Sequence, residues 1–250
     1  MRPTVLAALL AFALPATASA SHAIPSYVTA AMNDPARGAE RNEDARRQMA
    51  AVLAFSGVKP GDKVLELVPG SGYWTRVLSR IVGPKGHVYT IWPKEMMSHL
   101  GKGFALWSKL VATPHYANVS MLEPPLAQLR APGRVNLVFT VQNYHDFHDV
   151  LDPAGVAGLD KRIYDLLRPG GLFVIVDHVA PAGSGLNDTD TLHRIDPETV
   201  KKEVETAGFV FDGESSALRN PADPHTAKVF DPSIRGHTDQ FIYRFRKPAK

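Results

Sequence analysis

Apolar and polar positions change period along this chain. Residues 44–55 place Met49, Val52, Leu53 and Phe55 at helical spacing, with Arg41, Asp44 and Arg47 recurring every third position on the other side. That charged trio is either a solvated face with local ion pairs or a set of groups that closes over a ligand. From Lys63 onward short apolar runs alternate with helical stretches. Strands are predicted at 63–67, 87–91, 118–122, 134–140 and 172–177, and helices at 73–82, 94–111, 153–167 and from 197 to Gly208. Such alternation predicts a parallel sheet covered by helices on both faces. Asp152-Pro153 and Asp196-Pro197 each join a capping carboxylate to a proline at the first helical position. Arg168-Pro169-Gly170-Gly171 reads as a turn before the apolar fifth strand, which suits the buried centre of the sheet. The last two strand-like segments, 209–218 and 238–245, have no helix between them and predict an antiparallel hairpin at the sheet edge.

The ends and the composition narrow this picture. Arg2, the apolar run 5–14 and Ala18-Ser19-Ala20 form an export signal with cleavage expected after Ala20, so the mature chain is expected in the periplasm or outside the cell. The run is too short to span a bilayer, and no stable membrane anchor is expected. Residues 21–43 read as an arm and 44–250 as one domain. With no cysteine, disulfides, thiolate metal sites and thiol nucleophiles are excluded. The net charge of +3 comes from scattered basic residues, which is not the clustered footprint of a nucleic-acid binder.

The segment 64–75, VLELVPGSGYWT, is a strand ending near Glu66 followed by a glycine turn and a helix start. Gly70 and Gly72 allow a ligand close to the backbone, as in a nucleotide-type cofactor site. Tyr73, Trp74 and Thr75 stand where the dinucleotide pattern needs a third glycine, so that pattern fails. An ordinary strand-to-helix turn is the plainer alternative. An acid, three residues and Gly-x-Gly resembles motif I of the class I S-adenosylmethionine (SAM) methyltransferases. Together LVPGSGYWT, QNYHDF, LLRPGGLFVIVDH and LHRID resemble a family of exported, predicted methyltransferases of that class, over residues 44–247. The resemblance implies a Rossmann-like α/β fold with a mostly parallel seven-stranded sheet whose last strand is antiparallel. It also implies SAM as cofactor, a small-molecule substrate, and Glu66, Pro69, Gly70, Ser71 and Gly72 around the methionine part.

Three further groups of residues carry candidate chemistry. Trp92 stands where the family's ribose-binding acid is expected, so either Glu95 substitutes or Trp92 stacks on adenine; packing at the core rim is the alternative. Glu123 is the carboxylate at the third strand end, and Gln142 completes the cofactor set. At the fourth strand end Asn143, Tyr144, His145 and Asp146 are the candidate catalytic residues. His145 offers a base and Tyr144 or Asn143 an orienting group, against a structural role with Asp146 as a cap. Asp177, His178, His193 and Arg194 are expected to face substrate from the other side, with Arg194 binding an anion or pairing with Asp196. Asp146, His148, Asp177, His178 and His193 also offer nitrogen and oxygen ligands, but none has the tight spacing of a helical zinc motif, and no metal is assigned. The leading expectation is methyl transfer. Its rivals are a non-catalytic periplasmic binding protein on a degenerate fold and a metal-dependent hydrolase.

Overall fold

The computed structural model describes residues 23–249, so the expected export signal lies outside the described residues. The first helix, α1 (Ser26–Met32), buries Val28 and Ala31 against the domain, and a 3-10 segment kinked at Gly38 follows. Residues 44–55 depart from expectation. The α-helix there, α2 (Met49–Ser56), begins only after Gln48, whose φ of 45° breaks the helical path. Asp44 is drawn instead into a bidentate pair with Arg37 and accepts from the Tyr73 hydroxyl at 2.7 Å.

The sheet follows from the strand pattern. β1 (Lys63–Leu67), β2 (His87–Ile91), β3 (Val119–Leu122), β4 (Val135–Val141), β5 (Leu167–His178), β6 (Val210–Ser215) and β7 (Gln240–Arg246) lie in the order β3-β2-β1-β4-β5-β7-β6. All neighbouring pairs from β3 to β5 are parallel, and β7 runs antiparallel between β5 and β6. The terminal hairpin is therefore present, with its second strand inserted next to β5. The expected turn at 168–171 is a correction: these residues belong to β5, and Gly170 absorbs the irregularity with a φ of 74°.

Period-two alternation sends neighbouring strand residues into two apolar layers. Leu65, Leu67, Phe173, Ile175, Tyr243 and Phe245 face α5 (Tyr144–Val150), α6 (Pro153–Leu166) and α8 (Pro197–Thr206). Val64, Val174, Val176 and Ile242 face α1, α2 and α3 (Tyr73–Val82). Asp152 and Asp196 cap α6 and α8 as their sequence positions predict. Two further helices, α4 (Met97–Val111) and α7 (Thr189–Leu192), lie over the carboxyl ends of the strands, where open α/β sheets bind ligands. Among the described residues no helix is long and apolar enough to cross a membrane.

Candidate functional site

β1 stops where Val68 turns to a φ of 51°, a left-handed conformation that is rare and strained for a β-branched residue. Gly70 and Gly72 continue the turn at φ 59° and 78°, and the turn delivers the chain into α3. Glu66 is 2% exposed and accepts from the Thr75 hydroxyl at 2.5 Å. Burial, only partly offset by Thr75, pushes its carboxyl up to about 8, so it holds its proton at neutral pH. A recess of about 180 Å³ opens beside the turn, lined by Glu66, Pro69, Gly70 and Ser71 and by Gln142 and Asn143 from the end of β4. Arg47 also lines it. Its guanidinium lies 4.7 Å from the Tyr73 ring centre, and its buried Nε has no hydrogen-bond partner among the described residues. Of the expected cofactor residues, Glu66, Pro69, Gly70, Ser71 and Gln142 thus meet at one recess.

Gly72, Trp92, Glu95 and Glu123 do not line it. A Cβ on Gly72 would lie 2.5 Å from the Trp107 ring, and one on Gly103 of α4 would lie 2.6 Å from the Gly70 carbonyl oxygen. Helix α4 therefore packs directly on the back of the turn. Trp92 is fully buried there. Its indole donates to Thr90 Oγ1 at 3.1 Å and packs edge-on against Phe104, which corrects the stacking expectation, since no face of the ring is free for a base. Glu95 is committed as well: its carboxylate accepts from the Leu126 backbone N–H at 3.0 and 3.2 Å. Glu123 is exposed at the end of β3.

The fourth strand end divides its residues between two sides. Asn143 donates to the Val68 and Val141 carbonyls and braces the recess wall. Tyr144 points the other way, fully buried, and donates to Asp160 at 2.8 Å. Burial, followed by the Asp160 and Glu203 charges, raises the Tyr144 hydroxyl well above its ordinary value, so it is a packing residue rather than an orienting group. His145 is clamped. Asp177 Oδ1 lies 2.8 Å from its Nδ1, Asp146 Oδ1 lies 3.2 Å from its Nε2, and Asp177 also accepts the His145 backbone N–H. Burial opposes charge on this ring, but the two carboxylates prevail and raise its pKa to about 10. With each ring nitrogen facing a carboxylate, His145 is not a free base, which corrects that expectation.

The expected substrate residues also separate. Asp177 is fully buried under His145 and His178. His178 Nδ1 is 2.8 Å from the Thr238 hydroxyl, and burial lowers its pKa to about 4, so it stays neutral. Arg194 is fully buried, bidentate to Asp223 and bonded to the Val179 and Ala227 carbonyls, leaving no fork for an anion. His193 alone remains at the surface, 3.7 Å from Asp146 Oδ1 and against the exposed Phe230 ring. Two contributors escaped sequence reasoning: Thr75, which holds Glu66, and Asp223, which neutralises Arg194 across 29 positions. Neither has a local spacing that signals its partner.

Comparisons with known proteins agree with this architecture. Residues 13–102 match the family described as protein-L-isoaspartate(D-aspartate) O-methyltransferase. The ubiquinone/menaquinone biosynthesis C-methyltransferase UbiE of Vibrio cholerae is 26% identical over 182 residues, covering 62% of this chain and 66% of that protein. Among solved structures, a SAM-dependent methyltransferase from Aquifex aeolicus aligns with a TM-score of 0.54 at 19% identity, over 88% of this chain and 97% of that one. The [4+2]-cyclase SpnF aligns with a TM-score of 0.61 at 17% identity, over 90% and 93%. Sheet order, the antiparallel β7 and these structural neighbours together show that the chain has the class I SAM-dependent methyltransferase fold, and its sequence matches are to methyltransferases.

Proposed function

We propose that this protein is an exported methyltransferase that holds SAM by its methionine part in the recess and methylates a small molecule. The observation that carries the reading is the convergence of Glu66, Gly70, Ser71, Gln142 and Arg47 on one recess at the strand ends. Arg47 is a cation suited to an amino-acid carboxylate, and Glu66, protonated in the unliganded fold, becomes an acceptor for an ammonium whose charge favours its ionisation. A Cβ on Gly70 would meet nothing within 4 Å, so the turn leaves room for ligand next to backbone. The residues therefore fit the methionine part. On the adenosine side α4 and Trp92 fill the space, and the recess is smaller than the roughly 300 Å³ at which ligand pockets begin. Full engagement thus calls for α4 to shift.

SAM supplies a sulfonium methyl group for displacement by a nucleophile. Gln142 and Asn143 wall the recess, and their amides, which donate to Gln240 and to the Val68 and Val141 carbonyls, support the reading that this wall aligns the nucleophile, the main demand of such a transfer. Burial of Trp92 and the lack of a free ribose acid at the β2 end favour the second reading, a ligand-binding protein that has lost transfer chemistry.

Calorimetric titration of the mature protein with SAM and S-adenosylhomocysteine tests the proposal. Binding is expected, and Gly70→Val should abolish it while the melting temperature falls only modestly. Unchanged binding in Gly70→Val would remove the turn from the site, and no binding by the wild type at millimolar ligand would leave the second reading. Intact mass of the periplasmic protein checks export: a chain starting at Ser21 is expected, and one retaining Met1 to Ala20 overturns it.

A further inference from the structure

Three potential metal ligands come together at the edge of the strand ends, apart from the methionine recess. His145 and Asp146 stand in the first turn of α5, and His193 follows α7. Their ligand atoms all lie within 4.8 Å of one another. Asp146 Oδ1 is the shared point, 3.2 Å from His145 Nε2 and 3.7 Å from His193 Nδ1. Ligands of a tetrahedral zinc ion at bonds of roughly 2.0–2.1 Å are separated by about 3.3 Å, and these two distances bracket that edge. Metal sites also need their imidazoles oriented from behind, and Asp177 does this. Its Oδ1 lies 2.8 Å from His145 Nδ1 while two backbone N–H groups, of His145 and His178, fix the carboxylate, so Nε2 is presented toward Asp146. The site is also reachable, because the Asp146 and His193 side chains keep 27% and 24% of their exposure.

We propose that His145, Asp146 and His193 form a binding site for a borderline divalent cation of the zinc type, with Asp177 as the carboxylate behind His145. Two imidazoles and one carboxylate leave a tetrahedral ion one position for water or for an oxygen of a substrate. His145 Nε2 faces Asp146 at hydrogen-bond length, whereas the His193 nitrogen faces it at 3.7 Å, beyond that length. A cation bound there displaces the His145 proton and draws on all three ligand atoms, which lie within 4.8 Å of one another. The remaining sequence candidates do not share the site: His148 Nε2 lies 3.2 Å from Glu203, and His178 is bound to Thr238. In sequence the site begins two residues beyond Asn143, which lines the recess.

The test uses the untagged mature chain, stripped with chelator and titrated with zinc by calorimetry and with cobalt by visible absorption. One ion per chain is expected, with cobalt d–d bands of a four- or five-coordinate site. His193→Ala should weaken binding at least 100-fold at an unchanged melting temperature, because that side chain is partly exposed. Asp177→Asn should weaken it by about 10- to 100-fold with the stoichiometry kept. If Asp177→Asn fails to fold, His193→Ala and Asp146→Asn decide. No binding by the wild type at 100 µM metal, or binding that His193→Ala leaves untouched, overturns the proposal. Neither outcome depends on SAM, so the methyltransferase reading is judged separately.

Discussion

A Cβ placed on Gly70 would meet nothing within 4 Å, whereas one on Gly72, two residues on, would sit 2.5 Å from the Trp107 ring. Both glycines use left-handed φ values, yet the first faces the recess and the second faces the protein's own helix α4. One side of the turn is polar and open, with Glu66, Ser71, Gln142 and Arg47. The other is apolar and filled, with Trp92, Phe104 and Trp107. The difference shows that the same backbone freedom serves access on one face and close packing on the other, and that a Gly-x-Gly spacing alone does not say which.

The strongest test of this contrast lies at Trp92. Its complete burial predicts that Trp92→Ala costs about 3–5 kcal/mol and that Trp92→Asp costs more, because a charge would be stranded in an apolar layer. Urea denaturation measures both, and no gain in S-adenosylhomocysteine affinity is expected. An Asp variant of native stability and higher affinity would mean that the filled side opens to ligand.

Next in size are the glycines themselves. Gly72→Ala is expected to cost about 3 kcal/mol, combining left-handed strain with the Trp107 collision, and Gly70→Ala about 1–2 kcal/mol from strain alone. Equal losses in the two denaturation curves would erase the distinction between open and filled faces.

The last test, gradual rather than abrupt, sharpens the polar side. The folded pKa of Glu66, about 8, lies above the ordinary carboxylate value, so between pH 4.5 and 8 the unfolded chain binds fewer protons than the folded one. Stability must therefore fall as pH rises through that window, by up to about 1.4 kcal/mol per unit. Glu66→Gln should become progressively more stable than the wild type from pH 5 to pH 8. Asp160, also raised to about 8 by burial, leaves a residual slope in both proteins. A constant difference across the range would mean that the Glu66 carboxyl is ionised inside the fold.

The legible parts of this molecule are those governed by local rules. Strand periods and the Asp-Pro caps placed β1, β2, α3, α6 and α8 within a residue or two, because patterning and capping act over neighbouring positions. Helix α2 begins five residues after the expected start at Asp44, in step with its apolar stripe from Met49, since Asp44 is recruited by Arg37 and Tyr73 from other elements. The site shows the same division. The turn residues and Gln142 could be read from a contiguous motif. The roles of Tyr144 and Arg194 could not, because burial beneath α6 and pairing with Asp223 depend on long-range contacts that leave no spacing in the sequence.

The approach of Gly103 to the Gly70 carbonyl has a consequence for how tightly such a protein can hold its cofactor. If α4 must leave the turn before adenosine is accommodated, the binding-competent form is a minor species, and apparent affinity falls in proportion to its population. Each 1.4 kcal/mol of packing surrendered on opening weakens the measured dissociation constant about tenfold. Mutations that loosen α4 far from the recess would then tighten binding, an inversion of the usual relation between stability and ligand affinity.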